Sequence, residues 1–114
     1  MSRNLQPAFR ALGDPTRRAI LRQLCQGELT ITEVVEKFDL TRTAVRKHLT
    51  VLEEGKLITV TPRGKERVTR LNRAGLKSTA DWFNYFDKYW DDALDSLKNA
   101  IENDNQKKQK RKKK

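Results

Sequence analysis

Two short amphipathic segments joined by three residues are the feature that most constrains the fold of this chain. The first segment, ITEVVEKF, follows Thr30, which has the spacing of a helix capping box with Glu33. Residues 39–41 have the composition of a turn, and Thr41 can cap a second helix that runs to about Glu54. Two helices of this size with a tight turn between them predict a helix-turn-helix motif.

The second helix of this motif carries an apolar stripe and a separate basic stripe. Val45, Leu49 and Leu52 recur at helical spacing, so we expect them to face the core. The polar stripe is displaced from the apolar one, and we predict that it enters the major groove of DNA. The predicted base contacts are Arg42, Thr43 and Arg46, the predicted phosphate contacts are Lys47 and Thr50, and the capping residue Thr41 completes this set.

A basic β-hairpin is predicted directly after this helix. Residues 57–61 are rich in β-branched side chains, residues 62–65 have turn composition, and residues 66–71 form the returning strand. The sequence therefore predicts a winged helix-turn-helix fold, mainly α, with about five helices and a two-stranded wing. Three basic residues around the tip of the wing are predicted to contact the DNA backbone or the adjacent minor groove: Arg63, Lys65 and Arg67.

Helices are predicted on both sides of the winged motif. One covers residues 5–12, and another begins after the capping residue Asp14 and ends at Gly27. One long helix is predicted from residue 72 to about residue 103, and it holds both tryptophans. A small domain has little core to absorb these aromatic side chains, so a subunit interface is favoured over packing within the domain. The predicted interface residues on this helix are Phe83, Phe86, Trp90, Leu94, Leu97 and Ile101.

Positive charge is concentrated at the end of the chain. The last eight residues, KKQKRKKK, hold seven of the positive charges behind the net charge of +10. We predict one winged-helix domain over residues 1–103 and a disordered basic tail over residues 104–114, which adds salt-dependent affinity for DNA. No apolar run approaches the ~20 residues of a membrane span, and the first residues lack the apolar region of a secretory signal. A cytoplasmic protein is therefore expected.

The chain has few residues suited to metal binding or catalysis. Its single cysteine, Cys25, and single histidine, His48, are too few for a zinc site of cysteine and histidine ligands within one chain. We expect Cys25 to be a small buried core residue and His48 to have a structural or phosphate-binding role. Hydrolase, P-loop and dinucleotide-binding motifs do not occur in the sequence. We therefore predict no enzymatic activity, no cofactor and no metal.

Three stretches of the sequence resemble the ArsR/SmtB family of winged-helix repressors. They are FRALGDPTRRAILRQL, ELTITEVVEKFDLTRTAVRKHLTVLEEGKLI and RGKERVTRL, and the resemblance extends over nearly the whole chain except the basic tail. The segment DWFNYFDKYWDDALDSLKNAIEN is similar to the last helix of the autorepressor branch. The resemblance implies repression of a promoter and a homodimer built from the first and last helices, which adds Leu5, Phe9 and Leu12 to the predicted interface.

The resemblance also implies what this chain lacks. Metal sensors of the family carry cysteines near the helix-turn-helix motif, or histidine and acidic pairs on the last helix. Residues 31–38 contain no cysteine and the last helix contains no histidine, so no metal response is expected. Arg46 stands where the family usually has a small serine, so the operator sequence is not carried over.

The predicted function is therefore a sequence-specific, homodimeric repressor that binds double-stranded DNA at its own or a neighbouring promoter. Two alternatives stay open. The basic tail favours a general chromosome-coating protein of the same fold, and the aromatic helix favours a protein-interaction module that docks a different partner. The effector that releases DNA, either a small molecule or a partner protein, is not named by the sequence.

Overall fold

The computed structural model describes residues 4–112 of the chain, without the side chains of residue 88 and residues 105–112. Within these residues, six helices and three strands give a winged helix-turn-helix fold, as the sequence predicts. Two compact units are present, Met1–Ala80 and Asp81–Lys114. The elements are α1 (Gln6–Leu12), α2 (Pro15–Leu24), β1 (Leu29–Thr30), α3 (Ile31–Phe38), α4 (Arg42–Glu54), β2 (Ile58–Arg63), β3 (Glu66–Leu71), α5 (Arg73–Asn84) and α6 (Asp87–Lys112).

Side-chain caps fix the two helices of the helix-turn-helix motif. The Thr30 hydroxyl accepts the backbone N–H of Glu33 at 3.1 Å, and the Glu33 carboxylate accepts the Thr30 N–H at 3.0 Å. This capping box confirms the predicted start of α3. The Thr41 hydroxyl accepts the backbone N–H of Ala44 at 3.1 Å and starts α4 in the same way. Between them, Asp39 ends α3 in the left-handed conformation, at φ 50°.

The core of the first unit fixes the orientation of α4. Val45, Leu49 and Leu52 of α4 are all buried, as their helical spacing predicts. Burial of side chains of this size favours folding by about 1.5–3 kcal/mol each, so rotating α4 about its axis would be costly. The other buried apolar side chains of this core are Ala8, Ala11, Ile20, Leu21, Leu24, Leu29, Ile31, Val34, Leu57 and Ile58.

The wing belongs to an antiparallel sheet with the strand order β1-β3-β2. Strands β2 and β3 pair from Ile58 opposite Leu71 to Arg63 opposite Glu66, and the turn between them contains Gly64 at φ +61°. The third strand, β1, was not predicted, and it pairs Leu29 with Thr69 of β3. Its two residues are too few to show the alternation that identifies a strand. The wing is therefore joined to the segment just before α3.

The turn between α4 and β2 is closely approached by α5. Lys56 in this turn adopts φ 60°, which is uncommon for a residue with a side chain. A methyl group on Gly75 of α5 would lie 1.6 Å from the carbonyl oxygen of Lys56. Only a residue without a Cβ allows the two backbones to come this close. Gly75 thus fixes the start of α5 against the connection between α4 and the wing.

The structure corrects the prediction of one continuous helix from residue 72 to residue 103. Helix α5 ends at Asn84 and α6 begins at Asp87. At the interruption, the Phe86 N–H donates to the Phe83 carbonyl, three residues back, at 3.0 Å. Helix α6 then continues to Lys112, beyond the predicted start of the tail at residue 104. The disorder of residues 104–114 stays a prediction, and residues 113–114 lie outside the described residues.

The end of α2 also differs from the sequence prediction. The helix ends at Leu24, with Cys25 as its C-terminal cap, and Gly27 lies beyond it. Cys25 is exposed, so the expectation of a buried cysteine is wrong. The apolar stripe of α2 ends with the buried side chain of Leu24, and the next side chain points away from the core.

Candidate nucleic-acid interface

The face of α4 opposite the core presents a continuous polar surface. The apolar stripe fixes its direction, because residues displaced from that stripe by one or two positions point away from the buried side. Each predicted DNA contact within α4 is exposed. These residues are Arg42, Thr43, Arg46, Lys47 and Thr50.

The N-terminal end of α4 is tied to α3. The exposed residue Thr41 uses its hydroxyl oxygen to cap the helix. A terminal N–H of Arg42 donates to the Thr32 hydroxyl of α3 at 2.9 Å. A guanidinium carries five N–H donors, so Arg42 keeps further donors for an anion while this bond limits its motion. The positive end of the helix dipole also lies here and favours an anion at this end.

A cleft of about 220 Å³ separates α4 from the wing. Arg46 and Thr50 of α4 line one side, and Arg67 of β3 lines the other. The structure thus brings together predicted contacts that are more than one element apart in the sequence. We call this site the α4–wing cleft; Ile31, Leu49, Thr50, Glu53, Val60, Arg46 and Arg67 line it.

A second, more open depression lies on the other side of the same residues. It has a volume of about 590 Å³ and contains four of the predicted contacts of α4. Arg10 of α1 also lines it, a cation that sequence reasoning did not assign to DNA. No local pattern links α1 to α4, so only the tertiary packing of the two helices could reveal this residue. The depression is lined by Arg10, Thr43, Arg46, Lys47, Thr50, Val51 and Glu54.

The three basic residues predicted on the wing have different surroundings. Arg67 lines the α4–wing cleft, and Lys65 is exposed in the hairpin turn. Arg63 instead donates to the carboxylate of Glu28 at 2.8 Å. Arg70, which was not predicted as a contact, pairs with the same carboxylate at 3.2 Å. Arg67 therefore lies beside α4, whereas Arg63 forms an ion pair with Glu28 of the same chain.

A hydrogen-bonded cluster behind α4 joins it to α1 and α2. Arg17 of α2 donates to the carbonyl oxygens of Ala11 at 2.8 Å and Arg10 at 3.0 Å. Its third nitrogen lies 3.4 Å from Nδ1 of His48, which is only 22% exposed. These contacts support the structural role predicted for His48. The guanidinium of Arg17 thus binds the carbonyl groups at the end of α1.

Asp14 belongs to the same cluster as the cap of α2. Its carboxylate accepts the backbone N–H of Arg17 at 3.0 Å and lies 3.9 Å from Nδ1 of His48. The hydrogen bond from the Arg17 backbone N–H holds the pKa of Asp14 below its ordinary value, and the positive charge of Arg17 acts in the same direction. The N-terminus of α2 is therefore held most firmly when Asp14 is ionised.

The predicted interface residues occupy both units. In Asp81–Lys114, Phe86 is half-buried and the others are 52–60% exposed, namely Phe83, Trp90, Leu94, Leu97 and Ile101. Four of them, from Trp90 to Ile101, form one apolar stripe along α6. In Met1–Ala80, Leu5, Phe9 and Leu12 are half-buried, and Leu12 packs partly against the core.

Among the side chains that the structure describes, no three histidine, cysteine or acidic residues are grouped so that they could hold a metal ion. Over the same part of the chain, no helix is both long and apolar enough to span a bilayer.

The capped helix pair, the exposed basic face of α4 and the adjoining wing define a winged-helix DNA-binding transcriptional regulator, not an enzyme. A family model described as a helix-turn-helix domain matches residues 12–61.

Relatives cover most of the chain. The HTH-type transcriptional regulator YuzN of Bacillus subtilis is 45% identical in an alignment of 85 positions that covers 68% of this chain and 92% of the relative. The transcriptional repressor SdpR of the same organism is 31% identical over 81 residues, 70% of this chain and 90% of the relative. The solved structure of an ArsR-like transcriptional regulator from Rhodococcus sp. RHA1 is 30% identical, with a TM-score of 0.69 over 86% of this chain and 90% of that one. By its fold and by these relatives, the chain belongs to the ArsR/SmtB family of transcriptional regulators, whose members bind DNA.

Proposed function

We propose that this chain is a homodimeric, sequence-specific repressor that blocks its own or a neighbouring promoter in the cytoplasm. The α4–wing cleft carries this proposal, because Arg46 and Thr50 of α4 face the same space as Arg67 of the wing. A duplex edge on this surface could meet base-contacting and phosphate-contacting groups at once. In a dimer, two copies of α4 would enter successive major grooves about 34 Å apart.

Each predicted contact has a role that follows from its chemistry. Arg42 and Arg46 suit guanine, whose O6 and N7 accept two guanidinium N–H groups, and Thr43 suits a thymine methyl group or a base acceptor. The remaining groups position the helix on phosphates without specifying sequence. These phosphate-contacting residues are Thr41, Lys47, Thr50, Arg63, Lys65 and Arg67.

The operator is first identified by sequencing the DNA recovered with the protein. Arg46→Ala then lowers operator affinity by about 5- to 150-fold, because a bidentate base contact gives about 1–3 kcal/mol of discrimination. It changes affinity for random DNA much less. Lys47→Ala is the matched control on the same face. It lowers the affinity for operator and for random DNA by the same factor, and it reduces the slope of log affinity against log salt concentration by about one.

Band-shift titrations at two salt concentrations measure both quantities. Equal losses on operator and random DNA for Arg46→Ala would refute base recognition by this residue. A wild-type protein with a small ratio of specific to non-specific affinity would instead support the chromosome-coating alternative. The domain assignment is tested alongside: residues 1–103 are proposed to bind the operator, and deletion of residues 107–114 weakens binding to both DNAs by the same factor.

The proposed dimer rests on the exposed apolar stripe of α6. Trp90, Leu94, Leu97 and Ile101 would remain in water in an isolated chain, and aromatic and aliphatic stripes of this kind are typical of subunit interfaces. Leu94→Glu is expected to give a monomer in light scattering, whereas Asp92→Gln, exposed on the same helix, leaves the dimer intact. A monomeric wild-type protein would contradict the proposal and favour the protein-interaction module.

We also propose that DNA release is not triggered by a metal. The chain offers one cysteine and one histidine, and His48 lies in the Arg17 cluster instead of near Cys25. Zinc or arsenite added to the operator complex should therefore leave the band shift unchanged. Release of DNA by either ion at concentrations that do not precipitate the protein would refute this proposal. The effector is then a small molecule or a partner protein.

A further inference from the structure

One carboxylate oxygen receives two arginines of the wing. Nη2 of Arg63 donates to Oε2 of Glu28 at 2.8 Å. Nε and Nη2 of Arg70 both lie 3.2 Å from the same oxygen. The strand register explains Arg70, because Leu29 pairs with Thr69 and so the preceding residue lies beside Arg70. Arg63 is different, since it belongs to β2, on the far side of the central strand β3.

The side chain of Arg63 is therefore directed across the sheet. It starts at the end of β2 next to the hairpin turn and reaches the segment before β1, at the opposite edge. Its guanidinium is thereby drawn away from Lys65 and the tip of the wing. A strand residue with no such partner would extend from the sheet into solvent, where a DNA backbone could meet it.

The pairing is open to exchange with a DNA phosphate. The three side chains are 58%, 50% and 41% exposed for Arg63, Arg70 and Glu28, and ion pairs this exposed are weak and readily exchanged. Carboxylates and phosphates offer a guanidinium the same geometry of charged oxygen acceptors. A phosphate could therefore replace the carboxylate without a change in the arginine donors.

We propose that Glu28 competes with DNA phosphates for Arg63 and Arg70, and holds these two arginines on the protein until DNA displaces it. This inference rests on the proposed function, since it assumes that the wing meets a DNA backbone. If so, the affinity of the chain for DNA depends on Glu28 and Arg70 as well as on Arg63. Because phosphate contacts carry no sequence information, the effect of Glu28 is the same on operator and random DNA.

The test is a double-mutant cycle in the full-length chain, with affinity for a random duplex measured at several salt concentrations. Glu28→Gln is expected to tighten binding by about fivefold or more and to steepen the salt dependence by about one to two, since up to two more phosphates are neutralised. Glu36 is exposed on α3, so Glu36→Gln is a control with the same change of net charge. It is expected to tighten DNA binding less than Glu28→Gln does. In a background with Arg63→Gln and Arg70→Gln, Glu28→Gln has no more effect than this control.

Each outcome supports or overturns the inference. A Glu28→Gln protein that binds like Glu36→Gln, or one whose gain persists without the two arginines, refutes the competition. Weaker binding by Glu28→Gln also refutes it, because Glu28 would then position the arginines for DNA. Glu28→Asp keeps the charge and serves if Glu28→Gln fails to fold; it is expected to bind no more weakly than wild type. If wild-type protein shows no salt-dependent DNA binding at all, the proposed function fails instead.

Discussion

A methyl group on Gly75 would occupy space that the backbone of Lys56 already fills. An ideal Cβ at this position lies 1.6 Å from the Lys56 carbonyl oxygen and 2.6 Å from its carbon, whereas real Cβ atoms essentially never approach within 3.0 Å. Gly75→Ala must therefore separate α5 from this turn by about 1.4 Å. The displacement acts on the connection between α4 and β2, so it also changes the position of the wing relative to α4.

The steric cost of Gly75→Ala is partly offset by the higher helix propensity of alanine. Forcing an added group into a filled site costs about 1–3 kcal/mol, and the upper end applies because the obstacle is backbone. Alanine is favoured over glycine in a helix by about 0.5–1 kcal/mol. The net loss in the free energy of unfolding is then about 2 kcal/mol. For a unit of this size, 1 kcal/mol corresponds to about 4–8 °C, so the Tm should fall by about 8–16 °C.

Far-UV circular dichroism during thermal and urea unfolding measures this loss. Gly13→Ala is the matched control, because its φ of −73° suits alanine and the new Cβ would meet only two carbonyl oxygens, at 3.4 and 3.6 Å. Its stability should change by less than about 1 kcal/mol. If Gly75→Ala unfolds at the wild-type temperature while the control behaves as expected, the close approach of α5 to the turn is refuted.

Three smaller substitutions test other contacts. Asp14→Asn keeps a side-chain cap but removes a carboxylate whose pKa is lowered on folding. The stability that the ionised carboxylate gives is present at neutral pH and is lost as pH falls below about 4. The free energy of unfolding of the variant should therefore depend less steeply on pH in the acid range than that of the wild type. Arg17→Met should lower the free energy of unfolding by about 1–3 kcal/mol in urea, because the carbonyl groups of Ala11 and Arg10 each lose a hydrogen bond from a charged donor; no loss beyond that of exposed Arg22→Met would contradict this. Lys56→Gly should raise it by up to about 1 kcal/mol, since φ 60° strains a residue with a Cβ, and a lower stability in the same assay would argue against strain.

The features that could be predicted from the sequence are those determined within one turn of the chain. Thr30 and Thr41 cap helices through backbone N–H groups three residues away, so their spacing alone identified where α3 and α4 begin. The buried and exposed faces of α4 followed from helical periodicity for the same reason. Together these local signals were enough to predict the winged helix-turn-helix fold and the exposed face of α4.

The missed features depend on contacts between distant residues or on weak local signals. Glu28 and Arg63 are 35 residues apart, and Arg17 and His48 are 31 apart, so no local pattern joins them. The break between α5 and α6 has neither proline nor glycine, and the apolar residues keep their seven-residue recurrence across it. The change at Phe86, whose N–H bonds the carbonyl three residues back, therefore has no signal in the sequence.

Both indole rings of this chain lie within Asp81–Lys114, at Trp82 and Trp90, and so do both phenols, Tyr85 and Tyr89. The two indoles are 44% and 56% exposed, so their emission would shift to shorter wavelength on being covered. Intrinsic fluorescence excited at the red edge of absorption thus comes from one of the two units alone. With a dye on the oligonucleotide, assembly and DNA capture could be followed separately, at two colours, in the same cuvette.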